Sequence, residues 1–422
     1  MKRGDLWDRG TLRFWGWGSQ LWSGLVRLAA MFGHQRARSR VSWVQNTEAA
    51  MPHGSGFPTM WFHCASLGEF EQAVPVMLAY RAAWPEVAWL LTLYSPSGYE
   101  PLVAGVGEGR IPGWRAAEMD GMPADTLAVF PEDLPSTWRT LLPSWRLEGL
   151  ALAKYDLWPN LLRALHDRGT PIHVFAAAPS SARLMGAAMW RLSTTISAQD
   201  PMSANIFARA GLQVTPDGDP RVDRVMRREV HLTEEWLSWS RAATQVVVAG
   251  STWFAEERIL AQRDWTSARR LVLVPHDLSP SHLNALDAQW AGRAMRWSLW
   301  STLPERKRQS CHVILVDAVG QLFGLYRLPN ACVAVVGGGH GSGLHNVLEP
   351  ASAGLPIVTG PKLGSFREAH ALLGAGSLRA GNIAEDLAHW LNNPSEAHSA
   401  GKTALRWVQS QKGASSKIVA RW

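Results

Sequence analysis

The side chains best suited to chemistry in this 422-residue chain stand at strand-to-helix turns. Residues 332–361 read CVAVVGGGHGSGLHNVLEPASAGLPIVTGP: an apolar run (Val333 to Val336), a glycine cluster (Gly337, Gly338, Gly339, Gly341, Gly343), then His345 and Asn346 before a short helical segment, Val347 to Ala353. Glycines in that order let backbone approach an anionic ligand closely, and free N–H groups at a helix start present partial positive charge to a phosphate. Asn346 and Glu349 follow at helical spacing. An unpaired carboxylate among apolar and small neighbours is costly, so Glu349 is predicted to hold a ligand hydroxyl. For the glycines alone, a plain loop between buried strands serves as well.

A second turn follows the strand Met60 to Cys64: Ala65 to Gly68 are small, and Glu69 opens an apolar-periodic helix through Ala73, Val76, Met77 and Tyr80. This puts Glu69 at the carboxyl edge of a strand, where open α/β sheets bind ligands. The competing explanation is that negative charge favours any first helical turn, and Glu71 could supply it. Ser251 and Thr252, in VVVAGST, are candidate phosphate donors at a third turn, or else simple N-caps.

These turns need a parallel sheet to hold them. Strand-like runs at 60–64, 87–94, 126–130, 150–153 and 172–177 alternate with helical stretches, and a second set at 245–250, 271–275, 312–317, 332–336 and 355–359 repeats the pattern. Such alternation predicts two α/β domains with sheets covered on both faces. Neither half carries GxGxxG after its first strand, no GxxxxGK[ST] or HExxH occurs, and no His/Cys cluster suggests a metal. Cys64, Cys311 and Cys332 lie far apart and read as reduced core residues of a cytoplasmic protein.

The net charge of +7 favours an anionic partner, without choosing between nucleic acid, membrane and phosphorylated substrate. The N-terminus narrows the choice. Phe14, Trp17, Leu21, Leu25, Leu28 and Phe32 share one helical stripe, and Arg13, Gln20, Arg27 and His34 recur on another face, with Arg36, Arg38 and Arg40 beyond. The uncharged run is well short of the roughly 20 residues of a spanning helix. It lacks a signal-peptide cleavage pattern. A basic amphipathic helix on an anionic membrane surface is the expectation, with an ordinary packed helix as the alternative. Segments 1–45 (membrane-associated), 46–217 and 218–422 (Rossmann-like) follow, with a linker at 45–59.

Eight ordered blocks then become recognisable: FHCASLGEFEQAVPV, LYSPSGYE, KYDLWPNLLRAL, GDPRVDRV, VAGSTWFAEE, VPHDL, VDAVGQLFGLYR and GGGHGSGLHNVLEPASAGLPIVTGP. From about residue 12 onward the chain resembles the 3-deoxy-D-manno-octulosonic acid (Kdo) transferases of lipopolysaccharide assembly, in a spelling most like Bacteroidetes-type bacteria. The resemblance implies a GT-B fold, with two Rossmann-like domains facing across a cleft. It implies an N-terminal segment on the cytoplasmic face of the inner membrane, and metal-independent, inverting transfer of Kdo from CMP-Kdo to lipid IVA, the tetraacylated lipid A precursor. It implies no cofactor and no nucleic-acid partner.

By the same resemblance Glu69 is the general base, and Asn346 and Glu349 handle the cytidine nucleotide. Ser251, Thr252 and Gly341 are further donor-site candidates, and His276, in a Pro-His pair after a strand, is a nucleotide contact or else a structural residue. Lys154, Asp156 and Arg221 occupy substrate-binding positions; Lys154 and Arg221 suit the Kdo carboxylate, the alternative for each being a solvated surface charge. Asp156 replaces the family's usual glutamate on a shorter stem, and Gln321 replaces a glutamate of other branches. Another GT-B transferase or an epimerase would share the glycine loop without the Ser-Leu-Gly-Glu turn and KYDLWPN together. A non-enzymatic membrane-surface protein would explain only the N-terminus and the charge.

Overall fold

A computed structural model describes residues 3–45, 51–52, 54, 56–95, 99–100, 102–103, 111–118, 121–178, 187–341 and 343–422, without the side chains of 3–13, 15, 36 and 45. Residues 46–50, 53 and 55 of the expected linker, the middle of LYSPSGYE (96–98), and the Arg13 and Arg36 side chains fall outside that description.

The chain forms two units, residues 1–224 with 412–422, and residues 225–411. In the first, β1 (Pro58–Cys64), β2 (Ala88–Leu93), β3 (Thr126–Val129), β4 (Arg146–Ala153), β5 (Ile172–Ala177) and β6 (Thr195–Ala198) make one sheet in the order β3-β2-β1-β4-β5-β6. All its pairings are parallel. Six consecutive buried residues in β1, β2 and β5 are what a sheet covered on both faces demands of its central strands. The second unit holds β7 (Gln245–Thr252), β8 (Arg269–Pro275), β9 (Ala294–Arg296), β10 (Val313–Leu315), β11 (Ala331–Val336), β12 (Ile357–Thr359) and β13 (Leu378–Ala380), ordered β13-β12-β11-β7-β8-β10-β9. It too is parallel throughout. Eight tryptophans (Trp61, Trp89, Trp138, Trp190, Trp236, Trp239, Trp290, Trp300) are among the largest fully buried side chains, so part of the tryptophan excess is core volume.

Strand order fixes where a site can lie. In the first sheet the order turns about β1 and β4; in the second, about β11 and β7. At such a switch point the flanking loops depart to opposite faces and leave a crevice at the carboxyl ends of the strands.

The segment boundaries differ from expectation. Residues 1–45 do not stand apart, and Gly218–Arg224 and Lys412–Trp422 group with the first unit. The N-terminus is two helices, α1 (Arg3–Met31) and α2 (Gln35–Gln45), broken where Gly33 takes φ of +93°, a conformation that favours glycine. Beyond α2, Met51 is buried, the Pro52 carbonyl accepts the Trp145 indole N–H, and a Cβ on Gly54 would lie 2.1 Å from the Ser144 carbonyl oxygen. The expected linker is therefore packed at Met51 and Gly54, while Pro52 and Gly56 stay exposed.

Candidate active site

The first turn places Glu69 in the first turn of α3 (Leu67–Ala83), which Ser66 caps by accepting the Glu69 N–H. The Glu69 carboxylate folds back, and its Oε2 accepts the Ala65 N–H at 2.6 Å. It is 7% exposed. Burial and then the nearby Asp156 charge raise its pKa, opposed by the Ala65 hydrogen bond, Lys154 and His63. The structure thus brings Glu69, Lys154 and Asp156 together at the carboxyl ends of β1 and β4. Lys154 sits there with φ of +60°, its N–H donated to the Phe175 carbonyl of β5. A lysine held left-handed at the end of a buried strand is backbone strain located at the switch point.

Asp156, read from sequence as a substrate contact on a short stem, is instead drawn inward. Its Oδ2 accepts from His63 Nε2 at 2.8 Å and from the Trp158 indole at 2.9 Å. His63 is fully buried in β1. Its Nδ1 meets Thr92 Oγ1 at 2.9 Å, and that hydroxyl already accepts the Trp61 indole N–H at 2.8 Å. A carboxylate only accepts, so in the neutral ring the proton sits on Nε2 toward Asp156 and the Thr92 hydroxyl donates to Nδ1. His63 was not legible as a site residue, because its partners lie on β2 and beyond β4. Arg221 does not join this group among the contacts described: its guanidinium pairs with Asp219 at 2.6 Å, and Gln199 donates to the same carboxylate at 2.8 Å.

In the second unit the predicted donor residues gather at the ends of β7, β8 and β11. A pocket of about 240 Å³ is lined by Ser251, Tyr326, His345, Asn346, Glu349 and Arg228, among others. That is below the roughly 300 Å³ of a complete small-molecule site. His276 stacks on His345 with ring centroids 4.4 Å apart and lies 4.6 Å from Trp253, whose indole donates to His345 Nε2 at 3.0 Å. Burial, then His276, pushes the His345 pKa down to about 4, so this ring is neutral at physiological pH. Asn346 Oδ1 accepts the Leu348 N–H at 2.9 Å, an Asx turn at the entry to the short helix Leu348–Ser352. Burial, then Glu349, holds the Tyr326 hydroxyl well above the usual range. Tyr326 and Arg228 were not singled out from sequence, since loops far from the glycine cluster bring them in.

Two donor-site expectations need correction. Thr252 is fully buried and donates its hydroxyl to Glu257 at 3.1 Å, which takes it away from a phosphate. It caps no helix either; Glu256 reaches back to the Trp253 N–H at 3.0 Å. Ser251, with φ of +51°, stays at the pocket. The glycine cluster is spent mostly on protein backbone: a Cβ on Gly337 would lie 2.0 Å from the Ser251 carbonyl oxygen, and one on Gly339 2.6 Å from Thr359 Oγ1. Gly341 and Gly343 face open space, with nothing within 4 Å of such a Cβ, and Gly343 takes φ of +110°.

Residues 35–224 match the family described as 3-Deoxy-D-manno-octulosonic-acid transferase (kdotransferase). The 3-deoxy-D-manno-octulosonic acid transferase of Haemophilus influenzae is 24% identical over 433 residues, spanning 94% of this chain and 92% of the relative. That of Bordetella pertussis is 25% identical over 85% of this chain and 86% of its own. Among solved structures, Phytolacca americana UGT2, complexed with UDP-2fluoro-glucose and pterostilbene, superposes with a TM-score of 0.54 at 11% identity over 88% of this chain and all of the other. A putative UDP-N-acetylglucosamine 2-epimerase from Listeria monocytogenes gives 0.54 at 10% identity over 84% of this chain and 95% of the other. At such identities the likeness speaks for the fold alone, which is GT-B.

Proposed function

The chain belongs to the 3-deoxy-D-manno-octulosonic acid transferase family and is a Kdo glycosyltransferase, and from that premise we propose that it moves Kdo from CMP-Kdo to a hydroxyl of lipid IVA, with inversion and without a metal. Glu69 is the general base. As the acceptor oxygen bonds to the anomeric carbon, its proton passes to the Glu69 carboxylate, and the bond from that carbon to the phosphate oxygen breaks, releasing CMP. A positioned base of this kind contributes about 10² to 10⁴ in rate. The observation that carries the reading is a carboxylate at a switch point, 7% exposed, with its pKa raised. Poor solvation makes it a stronger proton acceptor than a surface glutamate.

In the donor half, the pocket with Ser251, His345, Asn346 and Glu349 takes the cytidine nucleotide, and the open side of Gly341 leaves room for backbone to approach its phosphate. Lys154, on the strained turn beside Glu69, answers the Kdo carboxylate.

We further propose attachment to the cytoplasmic face of the inner membrane. Among the described residues no helix is long and apolar enough to cross a bilayer. Phe14, Trp17, Leu21, Met31 and Phe32 are each at least 66% exposed and support surface insertion. The electrostatic part is smaller than the sequence suggests, because Arg27 pairs with Glu132, Arg38 donates to the Ala30 carbonyl, and Arg40 is buried.

The test is transfer from CMP-Kdo, generated in situ, to tetraacylated disaccharide lipid, followed by product mass. Product heavier by whole Kdo units is expected. A folded protein giving none would point to another donor or acceptor.

A further inference from the structure

A groove of about 860 Å³ runs between the N-terminal helices and the carboxyl end of β2, lined by Trp22, Leu25, Leu28, Phe32, Arg40 and Tyr94, among others. We infer that it seats an acyl chain of the lipid acceptor, so that α1 and α2 form part of the acceptor site as well as a membrane contact. This rests on the proposed lipid acceptor.

Three observations carry it. The walls are apolar side chains left open to solvent: Trp22 is 54% exposed, Leu25 and Leu28 49% each, and Phe32 84%. Exposed apolar surface that is contiguous and concave marks a binding site. The groove also ends at the catalytic turn. Tyr94 N–H donates to the Cys64 carbonyl at 3.3 Å and Ser95 N–H to the Ala65 carbonyl at 3.1 Å, while Ala65 N–H holds the Glu69 carboxylate. The inner wall and the base therefore share one backbone junction. Finally, the outer stripe of α1 (Phe14, Trp17, Leu21) continues along the same helix face into Leu25, Leu28 and Phe32, an apolar track from a bilayer surface towards Glu69.

The inner end is built rather than incidental. Arg40, 7% exposed, donates to the Tyr94 carbonyl at 3.3 Å and the Phe130 carbonyl at 2.5 Å, and its guanidinium carbon lies 4.2 Å from the Tyr94 ring centroid. The Trp22 indole donates to the Tyr94 hydroxyl at 3.3 Å, tying α1 to the sheet. These contacts hold the floor rigid and engage Arg40 and the Trp22 indole, while most of the remaining lining is apolar and suits methylenes.

The experiment compares kcat/KM for tetraacylated acceptor with that for its fully deacylated disaccharide, in detergent, for wild type, Ala29→Trp and Leu28→Gln. Ala29 lines the groove, and a tryptophan there fills it. Each methylene kept out of the groove is worth roughly fourfold in affinity. Displacing three should lower the acylated-to-deacylated ratio roughly sixty-fold. Leu28→Gln leaves the groove open but less apolar, and should lower the same ratio less. An unchanged ratio in both variants, whether or not their sedimentation with anionic vesicles falls, would mean the groove meets bilayer lipid only, and would overturn the proposal. No transfer by wild type to either acceptor would overturn the acceptor reading, and this proposal with it.

Discussion

Replacing Glu69 with glutamine separates the chemical role of this side chain from its structural one. The amide oxygen can still accept the Ala65 N–H now received at 2.6 Å, so a hydrogen bond worth about 1 kcal/mol is kept. The proton-accepting carboxylate is lost, and kcat/KM should fall by about 10² to 10⁴, which is roughly 2.7 to 5.5 kcal/mol of transition-state stabilisation. Stability should move the other way. Burial and Asp156 raise the native pKa of Glu69, so the folded chain holds this proton more tightly than the unfolded one. That contribution is complete below the unfolded glutamate's pKa and is lost as pH rises through the raised native value. Ionised Glu69 is thus a burden on the fold at pH 8, and Glu69→Gln should melt at the same temperature or higher. The assay is product mass under single turnover, beside thermal unfolding of the same samples. Transfer within tenfold of wild type would refute the base assignment, and a lower Tm would refute the electrostatic account of the site.

Asp156→Asn removes the second-largest cause of the raised Glu69 pKa while keeping an oxygen for His63 and Trp158. The acid limb of kcat/KM against pH should move to lower pH, and a limb that stays put or rises would sink the coupling. Gly337→Ala forces a Cβ to 2.0 Å from the Ser251 carbonyl oxygen and should cost about 1–3 kcal/mol, read as a lower Tm. Gly341→Ala, open on that side, should leave Tm unchanged and weaken CMP binding by calorimetry; full CMP affinity would remove Gly341 from the phosphate site.

The central strands were legible because burial on both faces leaves an unbroken apolar run; β5 falls where expected, at Ile172–Ala177. The strands β6, β9 and β13 were missed, being three or four residues long at sheet edges, with no such run to announce them. The placement of Glu69 and Glu349 in the first turn of a helix was legible from local turn chemistry. His63 was not. Its meaning depends on Thr92 and Asp156, 29 and 93 residues away, which only the strand order β2-β1-β4 brings together. Thr252 failed for a related reason: VVVAGST specifies a turn, but the direction of the hydroxyl was decided by Glu257, one helical turn further on. The basic N-terminal face misled similarly, since Arg27 and Arg40 find their partners in the sheet's loops.

The return of residues 412–422 to the first unit has a consequence for how the molecule is made. Asp223 accepts from the Gly413 and Ser415 N–H groups and the Ser415 hydroxyl, Asp217 holds Arg421 at 2.9 Å, and the Trp422 ring packs against Phe62, Tyr80, His173 and Phe175. On the ribosome, the first unit emerges early yet waits for its closing helix through about 200 further residues, on the order of 10 to 40 s at ordinary elongation rates. Through that interval Phe62, Tyr80, His173 and Phe175 lack the cover of the Trp422 ring. The half of the molecule translated first is therefore the half completed last, and a nascent chain stalled in the second unit leaves Asp217 and Asp223 without their C-terminal partners.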